Sequence, residues 1–111
     1  MQATRKAVDI RTTLADSNPD AFLPELARAL SVLGGIQKSG GGSDDLRLAI
    51  SSYRRAAAIL RPYHEADPSV FRGLWGATLR DLVTAMAEAE ASEAEIAAVL
   101  ADLGVGRGGG A

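Results

Sequence analysis

Apolar residues recur at three- and four-residue spacing along most of this chain, and that period predicts helix after helix. A first helix is expected from about Ala3 to Asp16, with Ala7, Ile10 and Leu14 on one face. Asn18 opens a second. Its side-chain oxygen suits the free amides of a helix start, and Pro19 fits the first helical position because it has no amide to leave unpaired. That helix should reach about Gln37 and present Phe22, Leu26, Leu30 and Leu33, while Pro24 predicts a kink or a short turn before the true helix. The run Ser39-Gly40-Gly41-Gly42-Ser43 breaks the pattern and predicts a flexible tip between antiparallel helices. Ser43, Asp44 and Asp45 start a third helix with the stripe Leu46, Ile50, Tyr53, Ala57 and Leu60, which Pro62 should kink or end near Arg61. Asp67-Pro68 opens a fourth helix. Its apolar residues Phe71, Leu74, Trp75, Leu79, Leu82, Val83 and Met86 cover more than one side, which predicts a sandwiched element. The last helix has the capping box Ser92-x-x-Glu95, carries Ile96, Val99, Leu100 and Leu103, and stops at Gly104.

Two stretches of this pattern are copies of one another, 49 residues apart. Arg5, Ala7, Ile10, Pro19, Phe22, Leu30 and Leu33 fall on Arg54, Ala56, Ile59, Pro68, Phe71, Leu79 and Leu82, and each copy puts a capping residue before its proline. A fixed period of helical segments is the mark of stacked units that bury their apolar sides against each other. Such units bind more often than they catalyse. The helical domain is expected over residues 1–104, followed by a flexible Gly-rich tail over 105–111 with nothing to pack.

A hydrophobic share of 47% supports one real core in a chain of this length, and an aromatic share of 5% with abundant alanine favours close-packed helices over sheet. The 12 basic and 14 acidic side chains leave a net charge of -2, so no global field draws the protein to nucleic acid or to an anionic membrane. No segment approaches the roughly 18 apolar residues of a membrane span, and a cytoplasmic location is the default. The absence of cysteine removes disulfides, thiolate metal sites and cysteine nucleophiles together. His64 beside Glu65 and Asp67 lacks a second nitrogen ligand and makes a poor metal site. Gly40-Gly41-Gly42 has neither the preceding strand nor the following Gly-Lys of a phosphate-binding loop. No acid, base and nucleophile converge in sequence, so neither an enzyme nor a cofactor is expected. Trp75 and Phe71 read as core. Arg54, Arg55 and Arg61, like Glu88, Glu90, Glu93 and Glu95, read as solvated helix faces.

Leu30-x-x-Leu33-Gly34 and Ala49-x-x-x-Tyr53-x-x-Ala56 resemble the two helices of a tetratricopeptide repeat, in which small residues let paired helices approach and large ones fill the gaps. The linker Asn18-Pro19-Asp20-Ala21-Phe22-Leu23-Pro24-Glu25-Leu26-Ala27 is similar to those joining units in the long tetratricopeptide arrays of actinobacterial proteins. Gln37 stands where that family prefers an aromatic, and Val83 where it prefers glycine. The resemblance implies an all-α fold, antiparallel helix pairs forming a short right-handed solenoid of about five helices. It also implies a non-catalytic scaffold that binds a protein or peptide in a groove lined by the first helix of each unit. On this chain the groove positions are Arg28, Ser31 and Lys38 on the second helix with Arg80 and Thr84 on the fourth, a basic set suited to an acidic peptide. The chain starts on what looks like the second helix of a unit. That predicts either the end of a longer array or a first helix covered by another copy of the chain, giving a homo-oligomer. The rival reading is a C-terminal regulatory segment of a larger signalling ATPase or protease-like multidomain protein.

Overall fold

In the computed structural model residues 2–105 are described, and they form five helices: α1 (Gln2–Ser17), α2 (Pro19–Ser39), α3 (Ser43–Ala66), α4 (Pro68–Glu88) and α5 (Glu93–Asp102). No strand occurs among the described residues, and the expected mobile tail lies outside them from Gly106 onward. Each of the first three helices packs on the next, and α2 also touches α4. Residue pairs fix the directions. Gly34 meets Tyr53, and Gln37 meets Ser52, so α3 runs antiparallel to α2; Tyr63 and His64 late in α3 meet Phe71 and Trp75 early in α4, while Tyr53 lies near Asp81 and Glu88 late in α4, so α4 runs antiparallel to α3. Ser31 opposite Thr78 and Lys38 opposite Glu88 then set α2 and α4 parallel. The smallest extent of the molecule is 19 Å, the thickness of two helix layers.

The two joints that precede a proline are nearly superimposable. Asn18 has φ -146°, ψ 80° and Asp67 has φ -144°, ψ 78°, because a residue before proline is pushed out of the helical region. Neither side chain caps its helix as expected. The backbone carbonyls of Asn18 and Asp67 accept from Phe22 and Phe71 at 3.2 Å, and the Asp67 carboxylate accepts from the Ser69 hydroxyl instead. The prolines inside helices also behave differently from the expectation, since neither α2 nor α3 is interrupted at Pro24 or Pro62. Pro24 frees the Asp20 carbonyl in the first turn of α2, where the Tyr63 hydroxyl lies 3.3 Å from the Pro19 carbonyl and from the Asp20 carboxylate. Pro62 and Ala58 are both exposed, so water can take the carbonyl that Pro62 leaves without a donor.

The glycine run forms a tight turn. Gly40 and Gly41 donate back to the carbonyls of Gln37 and Lys38, Gly41 takes φ +77°, and the Gly42 amide reaches the Asp45 carboxylate. Glu90, 49 residues later, occupies the same left-handed position with φ 64°, and Ala91 donates to the Met86 carbonyl as the helix closes. The repeat thus extends into loop geometry even where the glycine signal is missing.

Two apolar clusters fill the interior. Val8, Ala15, Leu26, Ala27, Leu30, Leu33, Ala56 and Leu60 join α1, α2 and α3, whereas Ala49, Tyr53, Ala57, Leu82, Ala85, Met86 and Leu103 join α3 to α4 and the α5 end. Trp75 is half-buried and packs on both. Gly34 allows the α2–α3 approach, because a Cβ there would sit 2.8 Å from the Tyr53 ring. A polar pair crosses the same interface: the buried Ser52 hydroxyl donates to the side-chain carbonyl of buried Gln37 at 2.7 Å. No residue of α5 is buried. Its Ile96 and Val99 pack, partly buried, on the second cluster; the expected Ser92–Glu95 capping box closes its start, and past its end the Arg61 guanidinium reaches over Gly104, φ +85°, to the Asp102 carbonyl.

Candidate functional site

The expected groove positions sit on the two parallel helices, but they divide into two kinds. Ser31 and Lys38 face α4. The Ser31 and Thr78 hydroxyls are 3.3 Å apart, and the Lys38 ammonium pairs with Glu88 at 3.7 Å. Both therefore help to set the spacing of α2 and α4. Arg28, Arg80 and Thr84 are exposed, the last with its hydroxyl returned to the Arg80 carbonyl at 2.9 Å. Arg28 and Arg80 make no ion pair among the described residues. With Lys38 neutralised by Glu88, the positive charge of this surface rests on those two guanidinium groups.

Arg28 also borders a hollow that sequence periodicity did not reveal. It lies between α1 and α2, has a volume of about 430 Å³, and is lined by Ala7 and Arg11 from α1 and by Glu25, Arg28, Ala29 and Val32 from α2. Beside it, Ile10 is 55% exposed, Leu14 40% and Val32 57%, with Ile36 open further along α2. Ile10 and Leu14 were read as a packing face, yet the residues of α1 that bury are Val8 and Ala15. The repeat explains the difference. The counterparts of Ile10 and Leu14 on α3 are Ile59 and Tyr63, and both are partly covered: Ile59 packs on the first core cluster, and Tyr63 meets Phe71 and the start of α2. Among the described residues no helix lies against α1 as α2 lies against α3. The signal in the sequence was Val32 and Ile36 at four-residue spacing on the otherwise polar side of α2.

Burial raises the Tyr53 phenol above its ordinary value, helped by the nearby Asp81 and Glu88 charges, and burial with the Asp20 carboxylate does the same for Tyr63. Both hydroxyls stay protonated near neutrality, and that of Tyr63 donates to α2. The Glu95 carboxyl is held below the usual range by its hydrogen bonds to Ser92. His64 stacks on Trp75 with ring centres 5.1 Å apart and planes 14° from parallel. Among the described residues no three His, Asp or Glu side chains are grouped as metal ligands, and no helix is long and apolar enough to cross a membrane. Comparison with protein families, with curated proteins and with solved structures gives no match.

Proposed function

We propose that this protein is a non-catalytic protein-binding module, built as a short tetratricopeptide-like array of antiparallel helix pairs. The support for the array is the recurrence of one joint geometry at Asn18-Pro19 and Asp67-Pro68, with α2 and α4 parallel in one layer. The observation that carries the binding role is the exposure of Ile10 and Leu14 where their repeat counterparts are covered, next to the open Val32 and Ile36. Exposed apolar side chains grouped with a few charges are what partner surfaces present.

Two contacts follow from this reading. A peptide with acidic side chains lies along the outer faces of α2 and α4, where Arg28 and Arg80 take its carboxylates and Ser31, Lys38 and Thr84 line its path. A second copy of the chain covers the apolar strip of α1, with the Glu25 of one copy available to the Arg11 or Arg28 of the other. Fluorescence anisotropy with labelled acidic peptides tests the first contact. Arg28→Glu with Arg80→Glu should weaken binding at least about tenfold, and an unchanged affinity removes the groove assignment. Sedimentation equilibrium tests the second: Ile10→Asp should convert dimer to monomer, and a wild-type monomer at high concentration rules the contact out.

A further inference from the structure

On the other side of α2 a cleft of about 410 Å³ separates α1 from α3, a volume within the range of small-molecule sites. Its apolar lining comes from Val8, Leu30 and Leu33, all nearly sealed, and from Leu48, which is 45% exposed. Its polar lining is unusual for a gap between packed helices. Gln37 is only 3% exposed, and its carbonyl already accepts from Ser52. Its amide nitrogen has no partner in the protein among the described residues, yet no sealed side-chain atom is left unsatisfied, so that nitrogen opens on the cleft. That donor is left to water or to a bound group, where leucine or methionine would fill the same space and offer none. Arg5 and Arg55 also line the cleft and make no ion pair among the described residues; against them stands one carboxylate, Asp9.

We propose that this cleft binds a small carboxylate with an apolar tail. The tail lies over Val8, Leu30 and Leu33. The carboxylate accepts from a guanidinium of Arg5 or Arg55 and from the free Gln37 amide, with the Ser51 and Ser52 hydroxyls beside it. The two arginines and Asp9 leave one net positive charge, which suits a monoanion better than a phosphate dianion. This site is separate from the α1–α2 hollow and from the outer faces of α2 and α4, so it stands whether or not those surfaces bind a protein.

The test is an amide-resolved NMR titration of the whole chain with sodium octanoate, with octanamide and octylammonium as the neutral and cationic controls. Saturable shifts are expected at the Gln37 side-chain amide and at the backbone of Val8, Ser51 and Ser52, with a dissociation constant of about 1 mM, as for a ligand of this size. Octanamide, octylammonium and the Arg5→Gln, Arg55→Gln double variant should each bind about tenfold more weakly. Gln37→Leu keeps the buried volume apolar and should fold, as circular dichroism will show, while weakening octanoate several-fold. Shifts that do not saturate, shifts centred on Ile10, Val32 and Ile36, or equal binding of octanoate and octanamide would overturn the proposal. So would a double variant that binds like the wild type.

Discussion

Helices α2 and α3 form one antiparallel pair, and α4 and α5 occupy the same places one repeat later; setting the two pairs side by side separates what a repeat needs from what it tolerates. In the first pair Gly34 faces Tyr53 and Gln37 bonds Ser52, whereas the same positions in the second pair are Val83, Asp102, Met86 and Ala101. The glycine and the aromatic ring have gone together. With a charged, exposed Asp102 where the buried Tyr53 stood, nothing requires a missing Cβ on α4. The α3 helix runs 24 residues and buries six of them along its face, while α5 runs 10 and buries none. The first pair buries whole faces, whereas α5 contributes the partly buried Ile96 and Val99 and the buried Leu103 just beyond its end.

Four tests probe that contrast. Tyr53→Ala should lower stability by about 3–5 kcal/mol, the usual loss for a buried aromatic, while the counterpart Asp102→Ala should stay within about 0.5 kcal/mol. Urea midpoints for the two variants report it directly, and similar losses at both sites would dissolve the distinction. Gly34→Val forces a branched side chain against a ring that has no free volume, which should cost about 1–3 kcal/mol. Val83→Gly should cost only about 1 kcal/mol, from helix propensity and the loss of a half-buried side chain. At the paired turns the sign reverses: Glu90→Gly restores the residue that φ 64° favours and should add about 1 kcal/mol, measurable as a rise in thermal midpoint. The smallest effect is one of pH. Because the Glu95 carboxyl is held below its unfolded value, the cap contributes above that value and fades as the pH falls through the folded one. Amide protection in α5, taken relative to the intrinsic exchange rate at each pH, should fall on acidification while that of α2 and α3 holds, and Glu95→Gln should abolish that response.

Most element boundaries were legible because proline, glycine and capping residues mark them chemically. The interior prolines were not, since the outcome depended on whether water could reach each freed carbonyl, as the exposed Asp20 in the first turn of α2 and the exposed flank of Pro62 allow. Periodicity placed Ile10 and Leu14 on an apolar face but could not say that no helix lies against it. Of the groove residues, the chain alone could not tell that Ser31 and Lys38 reach across to Thr78 and Glu88, because those partners lie 47 and 50 positions away. Gln37 was recognised as a departure from the aromatic preference of the repeat. That it is buried with one end of its amide unpaired emerges only once Ser52 and the α1–α3 cleft surround it.

The agreement between the two proline joints has a consequence for how such a chain can lengthen. The backbone leaves Asp67 in the conformation in which it leaves Asn18, so residues 19–67 begin and end on interchangeable splice points. A tandem duplication of that stretch would return the chain to its original heading and hand the next helix a familiar neighbour. Growth by copying would then need no new turn at these joints.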